Sequence, residues 1–268
     1  METKRIEVNK DVDTLLVMSD LHSFIEPLKV IDGIIASWPG SVQVVVAGDI
    51  LDGGVRPAET LEWVRTYAGE FAVLGNHDKG ILRVGEGDFR PYSATSAGVY
   101  QRLDQRHIEY LQAMPYVLEL AWRKKLIRVM HGNRTLSDEG VSFMTKPGEM
   151  FSRFADPAVD LTIVGHTHYP FVLEQDGCRM GNCGSTCALL LGLQHPDGSI
   201  TSWGDEAVFK APPEIYSTFL AITLEKGEIQ VMIKRFDYDR AKAIERLREE
   251  KHPHLDKTKR VIETGIVI

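Results

Sequence analysis

Five short stretches of the chain carry residue types that bind metal ions and move protons. They are Asp20-Leu21-His22, Gly48-Asp49-Ile50-Leu51-Asp52-Gly53-Gly54, Gly75-Asn76-His77-Asp78, His131-Gly132 and Gly165-His166-Thr167-His168. Carboxylates, imidazoles and an amide oxygen together form the mixed oxygen and nitrogen donor set that divalent transition-metal ions accept. Alternation along an extended segment puts Asp20 and His22 on one face, able to grip one ion. Asp49 leaves an apolar run at a tight turn, where an unpaired carboxylate is costly and a cation removes the cost. Asp52 fits a turn around the site as an orienting group. Asn76 offers a neutral oxygen. His77 can face a substrate, with Asp78 fixing its tautomer and supporting its protonated form. His131 precedes a glycine that admits close backbone approach. His166 and His168 can both bind metal if the chain turns between them.

Taken singly, each stretch also fits a plain structural role, such as a helix-capping aspartate, an Asp-Gly loop or a pair of exposed loop histidines. The elements around them favour the chemical reading. Each stretch follows an apolar run, at 15–18, 42–47, 71–74, 125–130 and 161–164, where a strand gives way to a loop. Ligands of open α/β sheets gather beyond the carboxyl ends of the strands, so the five stretches are expected to meet at one edge.

The first half alternates strand and helix signals. Helix-like spacing covers 23–37, Pro57 opens a helix in a favoured first-turn position, and 96–113 reads as one helix ending before Pro115. The glycine-rich segment 80–95, with Phe89 and Tyr92, reads as a long loop. Strands are expected at 116–121, 125–130, 161–164, 171–174, 186–192, 199–203, 217–224 and 228–234, with Lys226-Gly227 as a hairpin turn. A charged helix follows at about 239–250. The apolar tail 261–268 is expected to complete a strand in this chain or in a partner. His107, His195, His252 and His254 fall outside the pattern and read as solvated.

The ordered series D-x-H, G-D-x-x-D-G, G-N-H-D, H-G, G-H-T-H resembles the signature of the calcineurin-like metallophosphoesterase superfamily at every core position. The resemblance covers about 20–190 and looks most like the small bacterial and archaeal phosphodiesterase-like members. It implies an α/β four-layer sandwich, two packed mixed β-sheets flanked by helices, as a single domain over 1–268. It also implies two divalent metal ions drawn from Mn, Fe, Zn, Ni and Co, with Mn favoured. One ion would be held by Asp20, His22, Asp49 and His168, the other by Asp49, Asn76, His131 and His166, so that Asp49 bridges. The implied reaction is hydrolysis of a phosphate ester by in-line attack of a water or hydroxide shared by two cations roughly 3.5–4 Å apart. His77 would protonate the leaving group and Asp78 would orient it, the pair forming the catalytic residues.

Departures from the family narrow the substrate. Gly53 stands where the Ser/Thr protein phosphatases carry arginine, and Asp78 where they carry glutamate, which weakens a protein-phosphatase reading. Asn182-Cys183-Gly184-Ser185 looks like the family's N-P-G-S turn, expected near the site without binding metal. The expected substrate is a small or nucleotide-like phosphodiester; the alternatives are a phosphomonoester and a dinucleoside polyphosphate. Arg83, Arg90 and Arg134 are candidate phosphate contacts, and Phe89 and Tyr92 would stack on a nucleoside or pack on the sandwich edge. A metal-bound interaction scaffold without catalysis, like the superfamily's retromer subunit, is the competing class. Such scaffolds tend to lose a ligand or the catalytic histidine, and here all are present.

Composition bounds the rest. The 268 residues are 43% hydrophobic and 26% charged, which suits a globular chain with a substantial core. A net charge of −7 supplies no global attraction for polyanions, so phosphate recognition must be local and no stable nucleic-acid complex is expected. No apolar stretch is long enough to span a bilayer and the charged start is no secretory leader, so a cytoplasmic location is expected. Cys178, Cys183 and Cys187 do not match a zinc knuckle and read as thiols in a reducing compartment. Oligomeric state is left open.

Overall fold

The computed structural model describes residues 3–88, 93–132, 142–202 and 215–267. Strands β1 (Thr3–Glu7) and β2 (Thr14–Met18) lead to helix α1 (Glu26–Ser37) and strand β3 (Val42–Val46). Four helices follow, α2 (Pro57–Tyr67), α3 (Asn76–Gly85), α4 (Ser93–Tyr100) and α5 (Gln105–Gln112). Strands β4 (Val117–Trp122) and β5 (Lys125–Met130), helix α6 (Pro147–Phe154) and strands β6 (Leu161–Val164), β7 (Phe171–Gln175) and β8 (Cys178–Asn182) come next. The chain closes with β9 (Gly192–Gln194), β10 (Ile200–Ser202), β11 (Ser217–Glu225), β12 (Glu228–Phe236), α7 (Arg240–Glu249), α8 (Leu255–Thr264) and β13 (Ile266–Val267).

Two mixed sheets carry the fold. One has the order β1-β4-β5-β6-β8-β7, the other β12-β11-β2-β3. Within them β2 runs parallel to β3, and β5, β6 and β8 run parallel, so their carboxyl ends can point to one edge. The period-2 alternation of strands explains why the short strands are apolar on both faces. Leu15, Val17 and Val45 pack between the sheets with Leu118, Leu120, Ile127, Val129 and Ile163. Their neighbours Leu16, Met18, Val44 and Val46 face outward, against Leu28 and Ile31 of α1, Leu61 and Val64 of α2, and Leu111 of α5. On the far side, Val117, Met130 and Val164 pack against Met150 and Phe151 of α6. Helix, sheet, sheet, helix is the four-layer α/β sandwich expected from the sequence.

Several boundaries differ. Residues 71–74 form no strand, only an isolated parallel bridge from Ala72 to Val46. The expected helix 96–113 is two helices, because Asp104 turns its carboxylate onto the His107 N–H and caps a new start at α5. The expected loop 80–95 begins as helix α3: Asp78 in its first turn accepts the Gly75 N–H, and Ile81 and Val84 bury at helical spacing. Residues 186–192 are not a strand, and pairing starts only at β9. Strand β1, helix α6, strand β8 and helix α8 were not expected. The Lys226-Gly227 turn is present, with both residues at positive φ (52° and 85°), joining β11 to β12. The tail pairs within this chain, β13 beside β9. His107 and His252 are buried rather than solvated, whereas His254 is exposed. The three cysteines are free, with Cys183 and Cys187 buried. Among the described residues no helix is long and apolar enough to cross a membrane.

Candidate metal centre

All seven expected ligands meet at one edge, and each sheet supplies part of the set. The loops after β2, after β3 and after 71–74 bring Asp20, His22, Asp49 and Asn76; the loops after β5 and β6 bring His131, His166 and His168. His131 Nε2 lies 3.0 Å from Asp49 Oδ2 and 4.0 Å from Asp20 Oδ1. His168 Nε2 lies 3.0 Å from Asp20 Oδ1 and 3.0 Å from His22 Nε2. His22 Nε2 is 3.8 Å from Asp20 and 3.9 Å from Asp49, and His166 Nδ1 is 3.0 Å from Asn76 Oδ1. Two adjoining nests result, Asp20–His22–His168 and Asp49–His131–His166, each with donor atoms within 4.8 Å of one another.

The backbone is bent to deliver these side chains. Asp20, His22, Asp49, His166 and His168 all hold positive φ, between 50° and 70°. L residues rarely adopt this region, and each instance costs about 1–3 kcal/mol that surrounding contacts must offset. Interlocked loops supply those contacts. The N–H groups of Leu21 and His22 donate to the Asp49 carbonyl at 2.9 and 3.1 Å, and Gly165 N–H donates to the His131 carbonyl at 2.7 Å. Behind them, Asn182 donates to the Gly165 carbonyl and to Thr167, while Ser185 donates to the Asp20 carbonyl. The 182–185 turn therefore ties two ligand loops together and contributes no ligand atom to either nest.

Glycine is required where those loops touch. A Cβ on Gly75 would stand 2.2 Å from the Asp49 backbone nitrogen, and one on Gly165 would stand 2.0 Å from Ser19 Oγ. The motif glycines mark close approach as much as turning.

The donor set fits a cation. His131 and His168 donate Nδ1–H to the carbonyls of Ala47 (2.8 Å) and Ala188 (2.9 Å), which leaves Nε2 lone pairs aimed at carboxylate oxygens. Lone pairs facing lone pairs repel unless a proton or a metal ion lies between them. Asp20 Oδ1 and His131 Nε2 are buried without a hydrogen-bond partner among the described residues, an orphaning that a bound cation removes. Without a cation, protons take that place. Burial alone would lower the His131 pKa, but Asp49 and Asp20 outweigh it and raise it to about 10. Burial would likewise keep Asp20 and Asp49 neutral, but the histidines around them, His168 foremost at Asp20 and His131 at Asp49, hold both carboxyls well below the usual range. Desolvation, foremost, and the neighbouring His131 lower the pKa of half-buried His166 to about 4, so its ring is neutral.

His77 stands at the mouth of this centre with its side chain 31% exposed and Nε2 3.9 Å from Asp49 Oδ2. Its Nδ1 lies 3.0 Å from Asp52 Oδ2, and its backbone N–H donates to Asp49 Oδ1 at 2.9 Å. Burial opposes the charged ring, yet Asp49 and Asp52 together raise its pKa to about 9. His22, Asp49 and His77 also place donor atoms within 4.8 Å of one another.

The expected partner of His77 needs correction. Asp78 does not orient it: that carboxylate is wholly buried and accepts N–H groups from Gly75 (2.9 Å), Leu51 (2.9 Å) and Ile50 (3.2 Å). Asp78 closes the first turn of α3 and pins the Asp49 loop to the Gly75 turn. Asp52 orients His77 instead, itself held by Ser96 and the Gly53 N–H. Adjacency in sequence suggested the Asp78 pairing, whereas on a helix start the side chains at 77 and 78 diverge. Arg83 lies in α3, while Arg90, Arg134, Phe89 and Tyr92 lie outside the described residues.

A two-sheet sandwich whose strand ends gather carboxylate, imidazole and amide donors defines a metal-dependent phosphoesterase class. The chain belongs to the calcineurin-like phosphoesterase superfamily, whose domain model matches residues 14–197. It is similar to uncharacterized protein MJ0912 of Methanocaldococcus jannaschii, 27% identical over 168 residues; the match spans 61% of this chain and 65% of that relative, just under two thirds of its length. The fold is similar to the crystal structure of a metallophosphoesterase from Sphaerobacter thermophilus (TM-score 0.67, 20% identity, covering 95% of this chain and 99% of that one). It is also similar to hypothetical protein PH1004 from Pyrococcus horikoshii OT3 (TM-score 0.71, 16% identity, covering 94% and 98%).

Proposed function

We propose that the chain is a dinuclear metal-dependent phosphoesterase that cleaves small, nucleotide-like phosphodiesters. The observation that carries this reading is the paired nest: two buried carboxylates, each faced by the Nε2 lone pair of a histidine whose other nitrogen is committed to a backbone carbonyl. Asp20, His22, Asp49 and His168 would hold one ion and Asp49, Asn76, His131 and His166 the other, a mixed oxygen and nitrogen set that suits Mn, the favoured ion, as well as Fe, Zn, Ni or Co. When bound, such ions supply an activated water and neutralise charge on the phosphoryl oxygens.

The chain's own residues do the remainder. His77, held by Asp52, presents a proton at the mouth, where a leaving alkoxide needs one. Asp52 holds Nδ1, so the proton that faces the substrate is the one on Nε2. The loops interlocked around Asp20 and Asp49 keep the carboxylates fixed and dry, which strengthens every charge interaction inside.

The test is turnover of a chromogenic phosphodiester and of the matching phosphomonoester, with Mn added, beside metal analysis of the purified chain. Faster diester cleavage with about two ions per chain supports the proposal. Cleavage of neither ester above the metal-only rate would defeat the enzymatic reading, and a chain loaded with ions yet inert would favour a scaffold.

A further inference from the structure

Ser96 lies in α4, outside every motif stretch, and is wholly buried. Its hydroxyl donates to Asp52 Oδ2 at 3.2 Å. The same oxygen faces His77 Nδ1, 3.0 Å away, while Oδ1 accepts the Gly53 N–H at 3.0 Å. The Gly53 bond lies within the loop and moves with it. Ser96 ties the carboxylate to another element. Asp52 and Gly53 both hold left-handed backbone, with φ 72° and 85°. Two consecutive residues in that region need outside support to stay there.

The surrounding contacts hold Ser96 in place. Arg102, just past the end of α4, donates to the Val55 carbonyl at 2.9 Å, a second grip on the same loop. Val99 of α4 is buried in one core cluster with Ile81 of α3, the helix whose first turn carries His77. The two helices meet closely at Gly85, where a Cβ would stand 2.7 Å from the Tyr100 ring. Packing of α4 on α3 thus sets Ser96 relative to His77, with Asp52 between them.

We propose that Ser96 is a positioning residue: by donating to Asp52 Oδ2 it fixes the carboxylate, and through it the orientation of the His77 ring. This rests on the reading of His77 as proton donor. A leaving group that needs no proton should be indifferent to the contact, and a poor one should depend on it.

The experiment compares wild type with Ser96→Ala, which removes the hydroxyl alone, and Ser96→Thr, which keeps it; melting curves confirm that both fold. Two readouts are taken. One is the rigidity of the His77 ring, from NMR relaxation of histidine-labelled, Zn-loaded protein. The other is turnover on a nitrophenyl and an alkyl phosphodiester at equal metal content. The Ala variant is expected to loosen the ring and to lose about tenfold on the alkyl ester, with under about threefold lost on the nitrophenyl ester. The Thr variant should recover both. An unchanged ring in Ser96→Ala overturns the proposal, as does an equal loss on both esters. If wild type cleaves neither ester, the phosphoesterase reading fails separately, and the ring measurement alone decides the role of Ser96.

Discussion

His131 donates Nδ1–H to the Ala47 carbonyl at 2.8 Å and points Nε2 at Asp49, 3.0 Å away. One imidazole is thereby anchored by the backbone of the opposite sheet and turned toward the carboxylate proposed to serve both ions. A proton and a metal ion compete for that lone pair. The ion-free ring has its pKa raised from 6.5 to about 10, so it holds a proton across the neutral range. Stability from that protonation is fully present below the ordinary value and is lost as pH rises through the raised one. Chelator-treated protein is therefore expected to lose stability toward about pH 10, and the Mn-loaded protein to lose less. Binding of Mn should release a proton and tighten as pH rises from about 6.5 to about 8.5. Calorimetry in two buffers of different ionisation enthalpy reads both; proton-neutral binding would contradict the assignment.

The two aspartates flanking His77 should separate cleanly. Asp52→Asn removes the carboxylate on Nδ1 and is expected to lower turnover by about 10–100-fold while leaving the melting temperature nearly unchanged. Asp78→Asn should act the other way. That carboxylate accepts three backbone N–H groups in the buried interior, and an amide offers one oxygen in place of two. A stability loss of about 1–3 kcal/mol is expected, with turnover per folded molecule retained. Thermal melts and kinetics on both variants decide it; loss of turnover at full stability in Asp78→Asn would restore the role that adjacency suggested.

His77→Ala is expected to keep its metal and lose about 10²–10⁴-fold in turnover. Metal analysis and kinetics on the same sample check this, and an unchanged rate would remove His77 from the chemistry.

The meeting of the candidate ligands at one edge was legible in the sequence because each follows an apolar run, and strand-end placement is a local signal. The same holds for the sandwich itself, since 15–18, 42–47 and 161–164 are apolar at every position except Gln43 and Thr162, as suits strands covered on both faces. What local signals could not show was partner choice across the fold. Asp78 follows His77 directly, but helix geometry turns it away, and Asp52 arrives from 25 positions earlier. Helix α3 was hidden by its glycines, although Asp78 supplied the start signal.

Gly75 tests how tightly the loops interlock. A Cβ there would stand 2.0 Å from Asp49 Oδ1 and 2.2 Å from the Asp49 nitrogen, and backbone cannot swing aside as a side-chain tip can. Gly75→Ala is expected to displace Asp49, cost about 1–3 kcal/mol and reduce metal content. Full metal loading at wild-type stability would mean that the loops yield more readily than their hydrogen bonds suggest.

Asp49 stands between the two nests. Its Oδ2 lies 3.0 Å from His131 in one nest and 3.9 Å from His22 in the other, and its Oδ1 accepts the His77 N–H. His168 touches only the nest around Asp20 and His22. If Asp49 serves both ions, Asp49→Asn should empty both sites, whereas His168→Asn should leave one ion in the nest of Asp49, His131 and His166. Asn keeps the shape of Asp49 but is smaller than His168, so a melting curve on each variant separates donor chemistry from packing. Metal stoichiometry after dialysis reads the difference directly. Equal losses in the two variants would mean that the ions bind only as a coupled pair, and retention of an ion in Asp49→Asn would show that the carboxylate is not shared.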